Sequence, residues 1–204
     1  MKLVASLDVE DRTGPPTQFK SWHLLSALLI FSETGAPIGR YQLGDELGLG
    51  GGSVRSLVKF LRRRGFIQPV KRRGHQLSRE GHQFLAELAQ VLVKIAKLPQ
   101  SAFTVDQYNF GCHLRNRAHL VTDGVRQRDA ALRAGASGAT TLIQESDPES
   151  LVMPVDHQVS KLEAISLLEH FNLREKDVLL IGSGSSWVVA RLGMFAAAIT
   201  LLDI

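Results

Sequence analysis

The stretch from Gly48 to Ser78, GLGGGSVRSLVKFLRRRGFIQPVKRRGHQLS, constrains the fold more than any other part of the chain. From Gly52 to Arg64 its apolar residues recur at helical spacing, with Val54, Leu57, Val58 and Leu61 on one face. The opposite face carries Gly52, Arg55, Ser56, Lys59 and Arg63, with Arg62 on its flank. Gly65 stands where a left-handed residue closes a helix. Phe66 to Val70 predicts a short strand, Lys71-Arg72-Arg73-Gly74-His75 a basic turn, and Gln76-Leu77 the start of a returning strand. Helix, strand, basic turn and strand in this order form the second half of a winged helix-turn-helix.

Charge supports that placement. The 204 residues carry a net +4, but the charge is divided unevenly. Residues 1–98 hold 15 Lys and Arg against 8 Asp and Glu, a net of +7; residues 99–204 hold 9 against 12, a net of −3. Arg40 to Arg79 alone contains 10 basic and 2 acidic residues. A solvated basic face would also give a charge run, but concentration on one helix and one turn is the footprint of a polyanion binder. The single cysteine, Cys112, has no intramolecular partner and reads as a buried thiol in a reducing compartment. The apolar stretch Trp22 to Phe31 follows acidic residues and lacks a cleavage site, so it predicts a core helix rather than a signal peptide. Trp187 to Ile204 is short for a membrane span and contains Arg191. A cytoplasmic protein without membrane association is expected.

The remaining elements follow from periodicity and punctuation. Residues 1–17 read as an irregular arm, and Phe19 to Glu33 as a helix closed by Gly35 and Pro37. Ile38-Gly39 is placed as a short first strand and Tyr41 to Leu47 as a second helix. The glycines of Gly48 to Gly51 make a tight turn, or allow backbone N–H groups close to a phosphate. Ser78 caps a long fourth helix, running to about Lys97 on the stripe Phe84, Leu85, Leu88, Val91, Leu92 and Ile95. Such a stripe needs covering, by a second copy or by the second domain. Leu98-Pro99-Gln100-Ser101 is the expected boundary, giving domains over 1–98 and 99–204. Beyond it strands are predicted at 107–114, 119–122, 140–144, 151–153 and 178–181, with helices at 125–134, 161–171 and from Ser185 onward. Asp147 to Ser150 reads as a turn. The fold class is therefore α+β: a winged helix-turn-helix followed by a small two-layer α+β domain with helices on one face of its sheet.

The segments GDELGLGGGSVRSLVKFLRRRGFI and QLSREGHQFL resemble winged-helix transcriptional regulators. With VRQRDAALRAGASGATTL and VLLIGSGSSWVVARLGMFAAAI, nearly the whole chain resembles an archaeal family that joins a winged helix to a conserved domain of unassigned function. That resemblance implies a transcriptional regulator whose second domain is a small sensor-like or dimerising α+β module. It implies no effector.

The chemistry follows from these placements. Gly52, Ser53, Arg55 and Ser56 lie at the end of the helix expected to enter a major groove, with Arg55 and Ser56 the candidates for base edges. Lys59, Arg62 and Arg63 are placed on phosphates. The wing residues Lys71, Arg72, Arg73 and His75 are placed along the backbone or in the minor groove. A second candidate is the run Gly182-Ser183-Gly184-Ser185, between a strand and a helix, where N–H groups could cradle an anion helped by Arg126 and Arg128. A tight turn explains it as well, because a dinucleotide fingerprint needs Gly or Ala where Trp187 stands. Cys112 and His113, adjacent on a strand, face opposite sides. The seven histidines form no metal motif, and no carboxylate pair stands apart from ordinary surface spacing. No catalytic residue, cofactor or metal is expected. The partners implied are double-stranded DNA, a second copy of the chain and a small-molecule effector. Two rivals remain: a nucleotide- or phosphate-binding enzyme with a winged-helix appendage, and an architectural DNA-binding protein without effector.

Overall fold

The computed structural model describes Leu7 and residues 17–147, 150–154, 157–158 and 161–202. The chain divides into two units, Met1–Ala89 and Gln90–Leu202. The arm expected over residues 1–17 falls outside the described residues except at Leu7 and Thr17, and the middle of the 147–150 turn does likewise.

In the first unit, α1 (Ser21–Thr34) is apolar on several sides, and Leu24, Leu25, Ala27, Leu28, Ile30 and Phe31 are all buried. Helix α2 (Arg40–Leu47) turns Leu43 and Leu47 inward and ends at Gly48, whose φ of +62° is the left-handed cap. Helix α3 (Gly51–Arg63) follows at once. Its last turn closes through Gly65, and the N–H groups of Gly65 and Phe66 bond to the carbonyls of Arg62 and Leu61. Strands β1 (Ile67–Val70) and β2 (Gly74–Leu77) pair antiparallel from Ile67↔Leu77 to Val70↔Gly74. Ile38 exchanges both backbone hydrogen bonds with His75, at 2.8 and 3.0 Å, and so forms a one-residue third strand. Gly74 makes this possible: its φ is +105°, and a Cβ there would lie 2.2 Å from the Ile38 carbonyl oxygen. Ser78 begins α4 (Arg79–Leu88), accepting the Gly81 N–H at 3.0 Å and donating to the Gly65 carbonyl. Helix, helix, helix, wing and helix are those of a winged helix.

The fourth helix stops nine residues short of the Lys97 expected for it. Residues 89–91 turn, and Leu92–Leu98 form β3, so the boundary falls near residue 90 rather than at 98. The apolar residues Val91, Leu92 and Ile95 fit a helical stripe on paper. Val91, Val93 and Ile95 are also β-branched at alternate positions, and the neighbouring strand offers a ladder from Leu92↔Leu114 to Leu98↔Asn109. Tertiary pairing decides.

Among the described residues, the second unit is built on an antiparallel sheet of six strands. The others are β4 (Tyr108–Leu114), β5 (Gly138–Gln144), β6 (Leu151–Met153), β7 (His157–Gln158) and β8 (Val178–Gly184), in the order β3-β4-β8-β5-β6-β7. Every residue of the central β8 is buried. Its alternation serves two faces. On one, Leu179 and Ile181 join Leu142 against Leu168 and Phe171 of α6 (Lys161–Phe171). On the other, Gly182 meets α7 (Trp187–Leu202), which also packs with α5 (Val125–Arg133) through Gly193 against Ala136 and Ala131. The α+β class is as expected. The expectation of helices on one face holds for α5 and α7, whereas α6 covers the other. The strand expected at 119–122 is replaced by a short 3-10 helix, Ala118–Leu120.

Candidate nucleic-acid interface

Helix α3 buries Val54, Leu57, Val58, Phe60 and Leu61 and thereby fixes what faces solvent. Gly52, Arg55, Ser56, Lys59, Arg62 and Arg63 are exposed. Ser53 is half-buried, and its hydroxyl donates to Gln18 Oε1 at 2.9 Å. No side chain caps the N-terminus of α3, and the space around Gly50, Gly51 and Gly52 is open. In the wing, Lys71, Arg72 and Arg73 are exposed on the turn between β1 and β2, with Arg72 at φ +60°. Among the described residues, no carboxylate pairs with any of these cations.

Helix and wing meet at His75. Burial, and then the positive charges of Arg62 and Arg40, hold its imidazole below the ordinary histidine range. Arg40 from the start of α2 and Arg62 from α3 thus both act on the His75 imidazole of the wing. Two residues of this surface escaped the sequence analysis. Arg40 opens α2, and Tyr41 beside it is 87% exposed, more than any other large hydrophobic of the described residues. The available signal was the Arg40-Tyr41 pair itself, a basic residue and an aromatic side by side at the start of a helix.

The second candidate does not assemble. Gly182, Ser183 and Gly184 are not a loop but the last three residues of β8, fully buried. A Cβ on Gly182 would lie 2.5 Å from the Met194 backbone nitrogen, and one on Gly184 2.8 Å from that of Ala190. The glycines let α7 lie close on the strand. Ser183 donates to Asn109 Oδ1 at 2.6 Å and accepts the Val105 N–H at 3.2 Å, so its hydroxyl is occupied. Ser185 is exposed in the turn, and Ser186 accepts the Val189 N–H at the start of α7. Arg126 and Arg128 sit at the N-terminal end of α5, while the chain after its C-terminal end bonds to Ser183 through the Ser137 N–H at 2.9 Å. Arg128 pairs instead with Asp129 on the surface.

Cys112 and His113 do face opposite sides of the sheet, since their partners Leu180 and Leu179 alternate. Complete burial pushes the Cys112 thiol far above its usual range, which leaves it unreactive. His113 Nε2 lies 2.7 Å from Asp177 Oδ2, both buried, and Asp177 also accepts the N–H groups of Asn116 and Arg174. This ties the end of β4 to the turn before β8. Among the described residues, no group of three or more His, Cys, Asp or Glu could hold a metal, and no helix is long and apolar enough to cross a membrane.

The class so defined is an α+β protein with a basic winged helix ahead of an antiparallel sheet covered by helices. Comparison with known proteins places particular relatives within it. Residues 25–83 match the family model described as the PH0730-like N-terminal domain, and residues 105–201 match that of a domain of unknown function, DUF4443. Among solved structures, the hypothetical protein PH0730 from Pyrococcus horikoshii OT3 is similar at a TM-score of 0.72 and 20% identity. The likeness covers 90% of this chain and 93% of that one, and at such identity it concerns the fold. No curated protein matches the chain.

Proposed function

We propose that the chain is a DNA-binding transcriptional regulator of archaeal type, working as a homodimer in the cytoplasm. Its first unit binds duplex DNA; its second senses a small molecule, joins two copies, or does both. What carries this reading is the outward face of α3, where Arg55, Ser56, Lys59, Arg62 and Arg63 are exposed beside the cations of the wing and, among the described residues, meet no carboxylate. Arg55 and Ser56, in the first half of the helix, are placed for base edges, because arginine makes a bidentate contact to guanine. Lys59, Arg62, Arg63, Lys71, Arg72 and Arg73 are placed for phosphates, and Arg40 and Tyr41 extend the same surface. We assign no catalysis: the Gly182–Ser185 run on which the enzyme reading leaned is mostly strand, occupied by packing.

The test is to select genomic fragments on the purified protein and measure affinity for the winners and for random duplex at two salt concentrations. Enrichment of a two-fold symmetric site is expected, with specific binding that outlasts non-specific binding as salt rises. Double replacement Arg55→Glu with Lys59→Glu is expected to abolish binding; unchanged affinity would put the DNA face elsewhere. Salt-sensitive binding without an enriched site favours the architectural reading.

A further inference from the structure

The second unit holds a half-open cavity of about 210 Å³ between the end of β3, the segment that follows it, and the C-terminal half of α6. Its floor is apolar. Phe103 is buried in the core of this face, and Leu98 and Leu167 pack against that core. The rim is polar. Ser166 and His170, four residues apart, share one side of α6, and Ser101 faces them from the segment after β3. The Ser101 hydroxyl accepts the Phe103 N–H at 3.2 Å, which leaves its proton free to donate. Among the described residues, no acidic side chain lines the cavity. One ammonium group stands near: Lys94 donates to the His170 carbonyl, whereas Lys97, although it borders the cavity, turns its Nζ to the other face of the sheet, 4.2 Å over the Trp187 ring.

An apolar floor, hydroxyl and imidazole donors at the mouth, and the Lys94 ammonium beside His170 complement a ligand with a compact apolar body and one anionic head. We propose that this cavity binds a small monocarboxylate, its body on Leu98, Phe103 and Leu167 and its carboxylate on Ser101, Ser166 and His170. A dry cavity of about 150 Å³ already admits benzene, so a ring or branched chain fits with the carboxylate at the opening. A phosphate-rich metabolite does not suit so apolar a floor. This deepens the sensor half of the function proposed above and depends on that half alone.

Benzoate serves as the probe, benzamide as its uncharged isostere and inorganic phosphate as an anion without a body. Thermal unfolding of the full chain is followed at Trp187, with each compound titrated into wild type, Ser166→Phe and His170→Leu. Benzoate is expected to raise the midpoint, and benzamide to bind about tenfold more weakly, the value of one charge-assisted hydrogen bond. Phosphate should have no effect. Ser166→Phe projects a ring from an exposed helix position into the opening and should abolish the benzoate shift. His170→Leu should weaken benzoate while leaving benzamide as it was. Equal responses to benzoate and benzamide overturn the carboxylate assignment. A benzoate shift retained in both variants overturns the site, and no shift in wild type overturns the proposal. If one variant fails to fold, the other and the benzoate–benzamide comparison still decide. DNA affinity measured separately, with and without benzoate, keeps this result apart from the DNA-binding reading: either can fail while the other stands.

Discussion

At the scale of single residues, two side-chain facts of the first unit have measurable consequences. His23 is buried, and its Nδ1 accepts the Lys20 N–H at 3.0 Å, which requires the neutral ring. Burial first, then Lys20, lower its pKa from 6.5 to about 4. The unfolded chain therefore binds a proton between those values that the folded chain refuses. Stability from this group is complete above pH 6.5 and lost as pH falls towards 4, by about 3 kcal/mol over the window. Urea unfolding monitored at Trp22, whose ring centroid is 5.8 Å from that of His23, is expected to show this slope in wild type. His23→Gln should flatten it; an unchanged slope would assign the acid sensitivity to other groups. Gly74→Ala is the second case. Neither its φ of +105° nor the 2.2 Å approach to Ile38 tolerates a methyl group, so the bridge must open. A loss of about 2–3 kcal/mol in the same unfolding assay is expected. Gly74 was legible in the sequence as a turn glycine, but its partner was not, because Ile38 lies far away in sequence.

At the scale of elements, α3 and the wing were readable because each states its role locally. An apolar stripe of Val54, Leu57, Val58 and Leu61 leaves the basic residues one face, and Gly65 ends the helix. The wing makes a separate prediction from the helix. Cations on phosphates position the protein without reading bases, so removing them should weaken binding to all sequences alike. With six to eight phosphates neutralised, log affinity should fall with log salt at a slope of roughly −5 to −7. Arg72→Ala and Arg73→Ala should each make that slope shallower by about 1 and leave the preferred site unchanged. A changed site preference would move the wing from backbone to base readout. Where elements were misread, the deciding partner was non-local. Leu92–Leu98 joins a strand rather than a helix because β4 is there to pair with it. Gly182-Ser183-Gly184 resembles a phosphate loop only when α7, which fills the space a Cβ would need, is left out.

At the scale of the whole molecule, a two-part chain was visible from charge and from the change of pattern, but its seam was not. Pro99 and the polar residues after it look like a linker. They join β3 to β4 inside the second unit, where Thr140 Oγ1 donates to the Phe103 carbonyl at 2.7 Å. The chain divides instead at the short turn of residues 89–91, which carries no glycine or proline to announce it. This distinction can be tested by truncation. A chain of residues 90–204 keeps β3 on β4. A chain of residues 99–204 lacks it, which leaves the backbone of β4 unpaired along one edge and uncovers Gly111 and Leu114 where Leu98 and Leu92 had lain. An exposed, apolar edge of that kind invites self-association. The longer piece is expected to be soluble, with a cooperative transition at Trp187; the shorter is expected to aggregate or to unfold without one. Equal stability of the two would make β3 an accessory of the sheet and return the boundary to Pro99. A stable longer piece would also carry the whole carboxylate cavity, because Leu98, Phe103 and α6 all belong to it.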